Sequence, residues 1–126
     1  MTEAASPRHV PKPWGHEIWW AHTARYVGKL LHVRRGESLS LQFHEIKEET
    51  IFVQSGRLRF ETALGAEPGA LVAIELRPGD TYHIPPGTIH RMTGLDDCDV
   101  IEVSTPEVDD VVRLEDRYGR ARAPGR

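Results

Sequence analysis

The chain has 126 residues, 28% of them charged and 39% hydrophobic, with a net charge of −3 and a pI near 6.1. That is the make-up of one globular domain, long enough to bury about two-thirds of its unfolded surface in a single core. Mild acidity excludes nucleic acid or an anionic membrane as the main partner, and a lone cysteine, Cys98, excludes an intrachain disulfide or a cysteine-built zinc cluster. In chain order, residues 1–13 are polar and punctuated by proline, and read as an N-terminal arm. They lack the apolar stretch of a signal peptide, and no later segment has the length of a membrane span, so the expected location is the cytoplasm.

The segment Trp14 to Trp20 holds all three tryptophans. It reads as a first strand closing one end of a barrel or as a stacking surface for a sugar, core packing being the commoner use of such rings. Tyr26 to Val33 reads as a strand, and Arg34-Arg35-Gly36 turns the chain into the alternating stretch Leu39 to His44. Thr50–Val53 and Leu58–Phe60 alternate on either side of Ser55-Gly56 as a hairpin, residues 62–69 form a loop, and Ala70–Leu76 is a further strand. Arg77-Pro78-Gly79-Asp80 and Pro85-Pro86-Gly87 are turns, with strands at 81–84 and 88–93. Cys98 falls in the acidic run Asp96 to Asp99 and reads as a loop thiol whose neighbours oppose thiolate formation. Val100–Ser104 is the last clear strand, and residues 107–126 form a tail holding a short helix or an edge strand. Short strands at regular spacing between Gly/Pro turns, with no sustained helical period, predict an all-β sandwich or barrel in one domain spanning 1–126.

One constellation carries chemistry. Strict alternation over residues 39–44 places Ser40, Gln42 and His44 on one strand face and Leu39, Leu41 and Phe43 on the other. Glu49 follows the charged turn 44–48 at the head of the next strand, where a hairpin brings it back beside Gln42 and His44, and His90 follows the Pro-Pro-Gly turn. An amide, two imidazoles and a carboxylate make a divalent metal site with room for an exchangeable ligand. Zinc is the first expectation from the imidazoles, while the oxygen ligands also suit manganese, iron, cobalt or nickel.

Gly36, Gln42, His44, Glu49 and Gly56 sit at the offsets of the first cupin motif, with Gln42 in place of its first histidine. Gly79, Pro85, Gly87 and His90 fit the second motif, with Gly94 where asparagine is usual. On these residues the chain resembles the cupin superfamily, which implies a double-stranded β-helix, a jelly-roll-like barrel with short terminal extensions and a metal in its mouth. Four stretches sharpen the resemblance: KPWG at 12–15, GESLSLQFH at 36–44, IPPGTIHR at 84–91 and DDVVRLEDRYGR at 109–120. They are similar to the cupin domain of type II mannose-6-phosphate isomerases, also found fused behind mannose-1-phosphate guanylyltransferases. No guanylyltransferase sequence lies within these 126 residues, so guanylyl transfer is not expected of them. Where that family has His-His-Arg after the ligand histidine this chain has Glu45-Ile46-Lys47, and Thr50 replaces the histidine after the ligand glutamate.

The resemblance implies an aldose–ketose isomerase acting on a phosphorylated sugar through an enediolate, whose charge a divalent cation holds. Lys12, Lys29, Arg91 and Arg117 lie in the matching stretches and are the expected phosphate contacts. His16, His32, His83 and Glu102 are open candidates for the base, with none assigned. The alternatives are a metal-dependent cupin oxygenase and a non-catalytic sugar-binding cupin. An exposed strand edge makes a homodimer the expected assembly.

Overall fold

Alternation of buried and more exposed residues is clearest over Glu49–Ser55, His90–Gly94 and Cys98–Ser104, and it fixes which side of each sheet faces inward there. A computed structural model of the protein describes residues 4–63 and 70–121. Among them are eleven strands: β1 (Arg8–Lys12), β2 (Gly15–His22), β3 (Val27–Val33), β4 (Leu41–Phe43), β5 (Glu49–Ser55), β6 (Leu58–Ala63), β7 (Leu71–Leu76), β8 (Thr81–Ile84), β9 (His90–Gly94), β10 (Cys98–Ser104) and β11 (Val112–Glu115). They form two antiparallel sheets, ordered β1-β2-β3-β10-β5-β8 and β11-β4-β9-β6-β7. The chain crosses between sheets repeatedly, as expected of a double-stranded β-helix. No helix among the described residues is long and apolar enough to cross a membrane.

The inner faces meet in a core of aliphatic and aromatic side chains. Leu31, Val33 and Val100 on one sheet pack with Leu58, Phe60 and Met92 on the other, and Ile51, Val53 and Ile84 fill the space toward β8. Each such residue lies opposite another buried one across a ladder, as Leu31 does Val100 and Phe60 does Met92. Side chains at directly opposed positions share a sheet face, so these pairs reinforce one register.

Four local expectations need correction. Residues 8–12, read as part of an arm, pair with β2 from Arg8 opposite Trp19 to Lys12 opposite Gly15. The alternation expected throughout 39–44 slips, because Leu39 lines the same cavity as Gln42 and His44, and regular strand is confined to 41–43. Cys98 is not a loop thiol: it opens β10, is fully buried, and donates its Sγ–H to the Arg57 carbonyl at 2.8 Å, with burial pushing its pKa up. The tryptophans serve three ends, Trp14 in the core, Trp19 half-buried, and Trp20 53% exposed with its ring over Gly28. In the tail, the edge-strand alternative is the one formed, as β11 on β4. Of the loop expected at 62–69, Thr62 and Ala63 complete β6 and the remainder lies outside the described residues.

Two turn glycines show how different constraints select the same residue. Gly36 and Gly56 both adopt left-handed backbone, with φ of 80° and 76°. A side chain at Gly36 meets nothing within 4 Å, whereas a Cβ at Gly56 would lie 2.2 Å from the Asp97 carbonyl oxygen. Gly36→Ala therefore costs only the left-handed strain of about 1–2 kcal/mol, and Gly56→Ala costs more because backbone must move. Urea unfolding of the two variants should rank them in that order; equal losses would show that the Asp97 contact does not bind the turn.

Candidate metal centre and its charged cavity

The sheet registers deliver the site. Arg113 on β11 lies opposite Gln42 on β4, Gln42 opposite His90 on β9, and His90 opposite Thr62 on β6, so this row shares the inward face of one sheet. On the facing sheet the corresponding inward row is Trp19, Lys29, Glu102 and Ile51. The ladder thus sets metal-ligand residue types against a row of buried charge.

His44, Glu49 and His90 are all buried, and one ligand atom from each lies within 4.8 Å of the others. The orientation of both imidazoles is set from behind. His44 Nδ1 donates to the Asp110 carbonyl at 2.5 Å and His90 Nδ1 donates to the Thr88 carbonyl at 2.8 Å. A neutral imidazole held in this way presents an Nε2 lone pair on the side away from the carbonyl. His44 Nε2 stands 2.9 Å from Glu49 Oε2, a contact that repels unless a proton or a cation lies between them. His90 Nε2 has no hydrogen-bond partner although it is buried. Three electron pairs converging in a low-dielectric interior form the donor set of a divalent cation, and the residues fit such an ion on these grounds.

Burial pushes the Glu49 carboxyl up, but the His44 contact, with a proton shared between the two groups, and then the Lys47 charge outweigh it and bring Glu49 down to about 2. Burial pushes His90 down, which keeps its ring neutral. The Gln42 carboxamide adjoins the trio, with Nε2 3.4 Å from His44 Nε2 and Oε1 accepting from Ser40 at 2.6 Å. Ligation through its oxygen requires the amide to turn over.

Behind the ligands runs a ladder of buried charge. Lys47 Nζ lies 3.5 Å from Glu49 and 3.1 Å from Glu102, and Lys29 Nζ lies 3.4 Å from Glu17. Trp19 braces the far end, donating its Nε1–H to Glu17 at 2.8 Å while its ring lies 4.2 Å from the Lys29 ammonium. Burial, and then the charge of Glu49, push Glu102 up, opposite to Glu49. The two carboxyls are therefore shifted in opposite directions although one lysine lies beside both, Glu49 down through its His44 and Lys47 contacts and Glu102 up through burial and the charge of Glu49, an arrangement suited to acid–base work.

Among the four open candidates for the base, only Glu102 lines this cavity. His32 bonds Asp99 at 2.7 Å and stacks on His16 at 5.0 Å, and His83 is exposed beside Glu48. The expected phosphate contacts also divide. Lys12 and Lys29 line the cavity, but Arg91 and Arg117 line a separate cleft. There Arg91 makes a bidentate pair with Glu61, and Arg117 donates to the Gly36 carbonyl at 2.7 Å. Two residues not singled out for the site from sequence matter instead. Arg113 enters the cavity from β11, and Asp110 holds the ligand loop by accepting from the backbone N–H groups of Glu45, Ile46 and Lys47. The alternation in VVRLE carries the parity of Arg113, but only the β4 pairing turns that parity inward.

Asp110→Ala removes three backbone caps from the loop that carries His44 and should lower affinity for zinc by about 10–100-fold, the usual cost of losing an outer partner of a ligand. Glu49→Gln should abolish stoichiometric zinc in a chelator competition. Retention of zinc by Glu49→Gln would place the ion elsewhere.

Residues 1–116 match the family described as "Mannose-6-phosphate isomerase C-terminal". The chain is 36% identical over 118 residues to mannose-1-phosphate guanylyltransferase ManC of Salmonella typhimurium, covering 90% of this chain and 23% of that protein. It is 34% identical over 124 residues to the xanthan biosynthesis protein XanB of Xanthomonas campestris, covering 94% and 25%. It therefore spans about a quarter of the length of these relatives. Among solved structures, KdgF from Halomonas superposes with a TM-score of 0.67 at 24% identity, covering 83% of this chain and 91% of that one, which shows the shared cupin fold.

Proposed function

Because the chain belongs to the mannose-6-phosphate isomerase C-terminal family, we propose that it is a metal-dependent sugar-phosphate isomerase interconverting mannose 6-phosphate and fructose 6-phosphate. The observation that carries this reading is the pair of oppositely tuned carboxyls, Glu49 among the ligand atoms and Glu102 across the same cavity, both 3.1–3.5 Å from Lys47. A divalent ion held by His44, Glu49 and His90, zinc being the first choice for two imidazoles and a carboxylate, supplies Lewis acidity toward the substrate oxygens.

The protein supplies the remainder. Aldose–ketose interconversion moves one proton from C2 to C1 of the open-chain sugar and a second from the O2 hydroxyl to O1, through the enediolate. Glu102, raised by burial, is the group in this cavity with the affinity to take that proton at C2 and return it at C1. Lys47 donates to Glu102 and fixes its carboxylate, and both side chains are buried. Charge developing on O1 and O2 then finds a field already set by Lys47 and Lys29.

In deuterated water, zinc-loaded protein should exchange the C2 proton of mannose 6-phosphate, read by proton NMR. Glu102→Gln should slow that exchange by about 100-fold or more while keeping its zinc. Sugar binding with no exchange would make the domain a binding module, and oxygen uptake with substrate would make it an oxygenase.

A further inference from the structure

The cations of the cavity are not equally satisfied. Lys29 is matched by Glu17, and Arg120 makes a bidentate pair with Asp116 at 2.8 and 3.1 Å. Among the described residues, Lys12 and Arg113 have no carboxylate within 4.0 Å, although both line the cavity. Arg113 Nε is buried with no hydrogen-bond partner at all. A guanidinium N–H left unpaired in the interior is costly, and it persists where a ligand completes it. Burial and the neighbouring Arg120 push Arg113 down, and burial with Lys29, Arg113 and Arg120 pushes Lys12 down against the pull of Glu17. Positive charge is thus in excess at this end of the cavity.

Register places that excess beside the metal centre. Arg113 is the cross-strand neighbour of Gln42, and Lys12 ends β1 on the inward side, opposite Gly15. We infer that Arg113 and Lys12 form an anion anchor that receives the phosphate group of the substrate, one strand away from the ligand row. The inference rests on the isomerase reading for the identity of the sugar, but the anchor is defined by its own residues. Two unmatched cations suit a phosphate monoester, which carries nearly two charges at neutral pH, better than a single carboxylate. The planar guanidinium supplies the fork that phosphate oxygens fill. Arg91 and Arg117 have no part in it, since they lie in the other cleft with their donors engaged.

The test is inorganic phosphate titrated into the full chain by calorimetry, with and without zinc. Arg113→Gln and Lys12→Met should each weaken phosphate binding by about tenfold or more, and Arg113→Lys should restore part of it. Arg117→Gln should bind as the unaltered protein does. Zinc content and the thermal midpoint serve as controls, so that a misfolded Arg113→Gln is recognised and the Lys12→Met and Arg113→Lys results decide. Absence of phosphate binding in the unaltered protein, or its loss only in Arg117→Gln, overturns the anchor. Phosphate binding that follows Arg113 without C2 proton exchange upholds the anchor and instead defeats the isomerase reading.

Discussion

Two backbone carbonyls turn the imidazoles of His44 and His90 so that each presents its Nε2 to the interior. That commitment, His44 to Asp110 and His90 to Thr88, is the constraint from which the other features of the site follow. Glu49 joins them, its Oε2 2.9 Å from His44 Nε2, a spacing that calls for a proton or a cation between the two. Lys47 meets part of that demand from behind, and it is shared with Glu102. A buried network of this kind contributes little net stability, since desolvation offsets most of its attraction. Its use is to hold acids and bases in set protonation states.

The family pattern that the sequence resembles has arginine where Lys47 stands, and the difference bears on this network. Arginine cannot give up its proton and offers a planar fork, whereas lysine offers a point charge on a flexible stem. In this chain the stem reaches both Glu49 and Glu102 from one side. The replacement keeps the charge that balances the carboxylates while changing how its donors are spread between them.

The parts of the site that were legible in the sequence were those set by local spacing. His90 follows a Pro-Pro-Gly turn, Glu49 follows the charged turn 44–48 and His44 comes directly after β4, so each emerges where a strand begins or ends. What spacing could not give was the parity of isolated side chains. Arg91 follows directly after inward-facing His90, so it must face outward, and an arginine beside a ligand is thereby excluded from the cavity. Arg113 shows the converse, since its direction depends on a pairing with residues some seventy positions earlier. Cys98 looked like a loop thiol because acidic neighbours surround it in sequence, yet it opens β10 with its sulfur buried and donating to the Arg57 carbonyl.

Residues 110–113 supply the carbonyl that orients His44, the carboxylate that caps the loop after it, and the arginine beside Gln42. All of these partners are separated from the ligand loop by more than sixty residues. One short segment thus carries three separate supports of the site, so a disturbance of its pairing with β4 reaches the orientation of His44, the loop that follows it and the charge beside Gln42 together.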